Sequence, residues 1–256
     1  MTNIEHDRNA IQTKLELKDA MIFFEKPYER MIKYYPSNIE HYANEICTKA
    51  GVFIEGASFI SLPDVSLKWD SNDSLRQYLS YVAQAGGRGI VVNSEGHLEL
   101  RTFKKADKDG VYSVGTDNYF SKGLTKNDFS YKAGGIRCVL DQSEKGTVLQ
   151  AGPVTGPQII LENKMMTKEA LQRLYEEYKG IEFFPFSLNW RYNPAVEAGD
   201  LLEVSDLSGK KYIVPNLGLK IDYDGGMKAN SFAETKPNSQ EVVPSGMKTI
   251  DQRFAE

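Results

Sequence analysis

From Phe184 onward the apolar residues of this chain recur at every second position, and that period limits what the region can become. Phe184, Phe186, Leu188 and Trp190 follow it, and so do Leu202 with Val204 and Tyr212 with Val214. Leu217, Leu219, Ile221 and Tyr223 continue it. A period of two puts successive side chains on opposite faces of a strand, so each segment has one apolar face to bury. Asp224-Gly225-Gly226 then turns the chain into a last strand, roughly 227–234. Several short strands with turns at close intervals predict an antiparallel barrel-like or sandwich arrangement.

Upstream the period changes. Residues 12–24 begin as a strand, with Leu15 and Leu17 alternating with charged neighbours. A helix is predicted after Ser37, with Glu40 completing a capping box. Ile39, Tyr42, Ala43 and Ile46 form its apolar stripe, and Gly51 ends it. A second helix starts near Asp73, carries Leu75, Tyr78, Leu79 and Val82, and stops at Gly86-Gly87. A hairpin follows: Ile90-Val91-Val92 and Leu98 with Leu100 flank the turn Asn93-Ser94-Glu95-Gly96. Residues 106–130 are polar and Gly-punctuated, and read as a connection. Beyond them 136–140, 147–150 and 158–162 are short strand candidates. A single helix is predicted at about 167–179, with Leu171, Leu174, Tyr175 and Tyr178 as its stripe and Gly180 after it.

The predicted fold class is therefore α+β. An N-terminal α/β domain (1–105) holds two helices and a hairpin, and a connecting segment spans 106–130. A mostly antiparallel β-barrel-like domain with one inserted helix covers 131–235, and a tail over 236–256 reads as mobile or as an arm that needs a partner.

Composition narrows the function. The 256 residues are 41% hydrophobic, enough for a packed core. No apolar run approaches ~18 residues, so no membrane span is expected, and the N-terminus lacks the pattern of a secretory signal peptide. Net charge is −4 with no Lys/Arg block, which argues against a nucleic-acid partner. Cys47 and Cys138 read as buried free thiols.

No chemistry-bearing pattern emerges. His41 and Glu45 share a helix face without a third ligand, and read as solvated. His97 reads as a surface histidine. Asp107-Lys108-Asp109-Gly110 begins like a calcium loop but lacks the later ligands. Gly86-Gly87-Arg88-Gly89 precedes a strand, whereas a phosphate cradle opens a helix. Glu176 and Glu177 point about 100° apart on a helix and cannot face one another as an acid/base pair. They read as a solvated face, with Glu169 to Arg173 as i, i+4 support. No catalytic, cofactor-binding or metal residues are assigned, no cofactor is expected, and the chain is not expected to be an enzyme.

Two long stretches carry a resemblance. The first runs through LELKDAMIFFEKPYE (15–29), YPSNIEHYANEICTKAGV (35–52) and LRQYLSYVAQAGGRGIVVNSEGHLELRTF (75–103). The second comprises DNYFSKGLTKNDFSYKAGGIRCVL (117–140), the segment 166–214 and LKIDYDGGMKANSFAE (219–234). In this order they resemble the tail hub proteins of Gram-positive phages and prophages and, more distantly, the baseplate hub of contractile tails. The resemblance implies a structural piece that links the tail tube to the tip and a homotrimer in the assembled tail; in isolation the chain is expected to be a monomer or a weak oligomer. Its implied partners are other phage tail proteins: the distal tail or tube ring, and tip or spike proteins. The implied location is the virion tail, after assembly in the host cytoplasm. The family has a barrel domain ahead of the segment matching Leu15, so the chain is expected to be a truncated or split product. A tail-associated cell-wall hydrolase and a glycan- or receptor-binding tail module are the alternatives.

Overall fold

The computed structural model describes residues 3–7, 12–16, 18–28, 37–55, 65, 73–93, 95–102, 110–140, 147–223 and 225–233. The predicted tail over 236–256 and the run Asp107–Asp109 lie outside them.

Strands β1 (Asn3–Asp7) and β2 (Gln12–Glu16) form an antiparallel hairpin. The strand expected over 12–24 ends early. The Asp19 side chain accepts from the Met21 N–H at 3.0 Å and starts a 3-10 turn, Ala20–Phe24, which buries Met21 and Phe24. Helix α1 (Ile39–Ala50) is capped by Asn38 and not by the expected Ser37. The Asn38 side-chain Oδ1 accepts from the His41 N–H at 2.7 Å, while Ser37 bridges Val65. Gly51 closes the helix at φ 75°, in the left-handed region where a β-carbon is costly. After β3 (Ile54–Glu55), helix α2 (Leu75–Ala85) opens on a capping box, Ser74 with Gln77. Strands β4 (Gly89–Val92) and β5 (Leu98–Arg101) make the predicted hairpin, and β3 adds to β5 in parallel.

The segment read as a connection holds two strands, β6 (Val111–Ser113) and β7 (Tyr119–Lys126), each part of a larger sheet. Its lysines and glycines concealed the strands because an edge strand needs only a few inward residues. Next come β8 (Tyr131–Lys132), β9 (Gly135–Val139), β10 (Val148–Ala151), β11 (Gln158–Glu162), helix α3 (Lys168–Tyr178) and β12 (Glu182–Phe183). The last are β13 (Phe186–Arg191), β14 (Leu201–Ser205), β15 (Lys211–Pro215), β16 (Gly218–Tyr223) and β17 (Met227–Ala233).

Among the described residues these strands make small sheets, and no barrel closes. One sheet has four strands in the order β16-β17-β13-β7, and beside it stands β15-β14-β6. A third runs β10-β9-β11, with β9 and β11 parallel. The long strand read over 184–190 is broken at Pro185, which has no N–H for a ladder. Phe183 pairs with Tyr131 in one sheet, and β13 starts afresh at Phe186 in another. Phe184 therefore leaves the inward row and stacks on Tyr212, with ring centroids 5.4 Å apart.

Two cores follow. The first joins Phe24, Tyr42, Ile46, Tyr78, Leu79 and Leu98 to Ile136, Ile159, Leu161, Leu171, Leu174 and Tyr178. Helix α3 thus covers the β10-β9-β11 sheet beside α2, and not the opening of a barrel. The second core holds Phe183, Phe186, Leu188, Trp190, Leu202, Val204 and Val214, with Trp190 Nε1–H donating to Ser231 Oγ at 3.0 Å. Ala133 and Ile181 pack against both cores.

Candidate functional site: a seam and an uncovered sheet edge

His41 is exposed on α1, but Glu45 one turn on is buried at 7% exposure and accepts from the Tyr28 hydroxyl at 3.0 Å. The solvated face expected for this pair holds only for His41, because Tyr28 supplies the hydrogen bond that lets a carboxylate sit inside. Burial, reinforced by the Glu45 charge, pushes the Tyr28 hydroxyl well above its usual range. His97 is half-buried: Nδ1 lies 3.6 Å from both Glu55 and Glu95, and the ring meets Phe53 edge-on at 5.0 Å. Among the described residues no three His, Cys, Asp or Glu side chains stand where they could hold a metal ion together.

The glycine run ends α2 as predicted, with Gly87 at φ 66°. Its unexpected member is Arg88, 5% exposed, which reaches Glu177 at 3.2 Å. The Tyr178 hydroxyl donates to the Gly87 carbonyl at 2.5 Å. Glu177 is therefore a clamp between α3 and the end of α2 rather than part of a solvated face, while Glu176 pairs with Lys179. No ion pair joins Glu169 to Arg173 among the described residues. Cys47 and Cys138 are buried and free, and burial pushes each thiol up to about 12, so neither is a nucleophile near neutral pH.

A concave feature among the described residues lies between the four-stranded sheet and the β15-β14-β6 sheet. A cavity of about 980 Å³ runs between β7 (Tyr119, Phe120, Gly123, Leu124, Lys126) and the β14–β15 turn (Ser205–Gly209). Its walls are held from within. The Ser205 N–H donates to the Tyr119 hydroxyl at 2.9 Å. The Lys126 ammonium lies 4.5 Å from the Phe184 ring centroid and 4.8 Å from that of Tyr212. Asp206 accepts from the Ser208 hydroxyl, the backbone N–H groups of Ser208 and Lys210, and the Tyr212 hydroxyl. These bonds, that of Ser208 foremost, pull the Asp206 carboxyl down to about 2. It stays ionised near neutral pH and fixes the turn. Leu207 at the tip is fully exposed.

A second surface lies at the far edge of the four-stranded sheet. β16 pairs with β17 along all six of its residues, and among the described residues no strand covers its other side. Ile221 is 46% exposed, Tyr223 79% and Met227, opposite Tyr223, 44%. A long regular edge carrying apolar side chains is a template for another strand. Sequence periodicity located these residues but read them as core.

No family model and no curated protein matches this chain. Solved structures do. The 43 kDa tail protein of prophage MuSo2 from Shewanella oneidensis superposes with a TM-score of 0.55 at 13% identity, covering 90% of this chain and 74% of its own. The tail protein from Neisseria meningitidis MC58 gives 0.52 at 9% identity, covering 82% and 70%. At such identities the likeness is one of fold.

Proposed function

We propose that this chain is a structural component of a bacteriophage or prophage-derived tail, placed at the hub or baseplate where the tube meets the tip. The observation that carries the reading is the fold likeness to the MuSo2 tail protein, which extends over 90% of the chain. The resemblance of the sequence to tail hub proteins points the same way. In this reading the chain is not an enzyme. It acts as a homotrimer in the assembled tail and contacts the tube ring on one side and tip or spike proteins on the other. The host cytoplasm is where assembly takes place. Neither nucleic acid nor a membrane is a partner, and no described helix is long and apolar enough to cross one.

The chain carries this role as two units. We place 20–102 with 133–181 in one, and 111–132 with 182–233 in the other, following the two cores. Cryo-electron microscopy of purified particles tests the assignment. Density for this chain at the junction of tube and tip is expected. Its absence from the particle, or release of muropeptides from cell walls by the purified protein, would overturn it.

One observation favours a second reading. The seam beside β7 presents Tyr119, Phe120 and Leu207 around an open cavity, and aromatic side chains in a groove suit a glycan- or receptor-binding module. Calorimetric titration with host cell-wall polysaccharide separates the two, because the structural role requires no heat of binding.

A further inference from the structure

Two sheets of this chain are incomplete in complementary ways. The β1–β2 hairpin is a sheet of two strands, and an isolated two-stranded hairpin is marginally stable in water at best. The β16 strand has the opposite problem: among the described residues it ends a four-stranded sheet, and no described strand pairs with its outer side. Within one chain the hairpin and the β16 edge do not pair with one another.

Charge matches them. β1 reads NIEHD, with Glu5 and Asp7 and neither Lys nor Arg; the register sets Lys14 of β2 opposite Glu5 and the neutral Gln12 opposite Asp7. The outer face beside β16 carries Lys220 and Asp222, then Lys228 opposite Asp222 and Arg191 opposite Lys228. All four are exposed, giving three cations against one carboxylate. No ion pair engages Lys220, Lys228 or Arg191 among the described residues. On the opposite face of the same edge stand the exposed apolar residues Ile221, Tyr223 and Met227, which a docked strand would partly cover. The β1–β2 register also sets Ile4 against Leu15, an apolar pair at the same level of the hairpin.

We infer that β1 of one copy adds to β16 of the next copy, making a continuous sheet β2-β1-β16-β17-β13-β7 across the boundary between copies. The occupant is a second copy because the acidic strand and the basic edge belong to the same sequence yet stand apart in one molecule. The contact is head-to-tail, so repeating it closes a ring when the rotation permits. One short strand pair falls below the ~1,000 Å² that a stable interface needs, so the contact is weak until the ring closes or the rest of the tail holds the copies together. The inference rests on the proposed self-assembly in the tail and names the contact that drives it.

Two measurements test it. In the first, a His6→Cys chain is mixed with a Lys220→Cys or an Asp222→Cys chain and treated with a short bismaleimide. The native thiols are buried and give little background. Cross-linked heterodimer is expected several-fold above a control in which exposed Val154→Cys replaces the β16 cysteine. In the second, sedimentation velocity at about 100 µM and low salt should show association, expected to weaken as salt screens the pairs. Ile221→Lys with Tyr223→Lys should abolish it without unfolding the chain, because both residues are already exposed. Glu5→Lys with Asp7→Lys should weaken it a few-fold, and adding Lys220→Glu and Lys228→Glu to that chain should restore it. Cross-linking no better than the control, or association indifferent to β1 and β16, would overturn the inference. If microscopy still places the chain in the tail, that outcome removes this contact alone and leaves the proposed function standing.

Discussion

At the residue scale, Gly123 shows how tightly the seam wall is built. β7 and β13 fall out of register between Leu188 and Trp190, so β7 bulges there. A β-carbon on Gly123 would lie 2.7 Å from the Phe120 carbonyl oxygen and 3.1 Å from that of Asn189. Both are backbone atoms that cannot step aside, so Gly123→Ala is expected to cost about 1–3 kcal/mol. In a chain of this size that lowers Tm by roughly 2–4 °C for each kcal/mol. Gly110→Ala, which meets open space, serves as the control and should leave the melt unchanged. Asp206 gives a residue-scale prediction in pH. Its folded carboxyl is depressed to about 2, below the ~3.9 of an unfolded chain. A depressed carboxylate contributes stability that is present above the unfolded value and fades as pH falls towards the folded one. The turn at 205–210 should therefore loosen between about pH 4 and pH 2. Proton-linked chemical-shift changes of Ser208 and Lys210 amides would follow that titration and should vanish in Asp206→Asn. A midpoint near 4 would show that the hydrogen bonds do not hold in solution.

At the element scale, the clamp between α2 and α3 can be tested through one hydroxyl. Tyr178→Phe removes one of two donors to the Gly87 carbonyl and leaves that buried oxygen with the Arg88 Nη1–H at 2.9 Å. The expected loss is about 0.5–1.5 kcal/mol, read by urea unfolding as a lower midpoint at unchanged slope. An unaltered midpoint would mean that the Arg88 bond alone holds the clamp. The elements that sequence made legible share a cause. α1, α2 and α3 each present an apolar stripe at helical period and a capping side chain, so local chemistry and burial agree. β4 with β5, and β14 with β15, were legible for the same reason at a period of two. β6 and β7 were not, because their stabilisation comes from distant strands: Leu201 to Glu203 pair with 111–113, and 186–190 with 119–126. The split at Pro185 was written in the sequence, but the run of alternating aromatics outweighed it. In the candidate site the buried member of the helix pair, Glu45, was hidden for a like reason, since its partner Tyr28 lies 17 residues away. Exposure of Ile221 and Tyr223 could not be read either, since an alternating strand looks the same whether or not a second sheet covers its end.

At the scale of the whole molecule, the chain visits each core twice. It builds the first core from residues before Thr102, leaves for β6 to β8, returns for β9 to α3, and finishes in the second core. Ile136, Ile159, Leu161, Leu171, Leu174 and Tyr178 all belong to the first core, so a fragment ending at 105 would lose more than a third of its interior. Such a fragment should show neither native circular dichroism nor a cooperative melt, and a folded 1–105 would restore the boundary expected from composition. The same architecture motivates a prediction about the oligomeric state. Within one copy the large residues of both cores (Trp190, Tyr78, Phe24) are already buried. Folding of a single copy therefore does not require another, unlike an obligate dimer whose interface is half of a core. Among the described residues the surfaces proposed for assembly are the six-residue edge of β16, its exposed apolar side chains and the seam beside β7. A contact of that extent gives little affinity at micromolar concentration once the translational and rotational freedom lost on association is subtracted. The isolated chain should therefore elute as a monomer of 28.8 kDa by size exclusion with light scattering at low micromolar loading. Its apparent mass should rise only as concentration increases and salt falls, because the proposed contact pairs an acidic strand with a basic edge. A stable species near three times the monomer mass at low micromolar loading, insensitive to salt, would show that a larger and more apolar interface than the β16 edge holds the copies together.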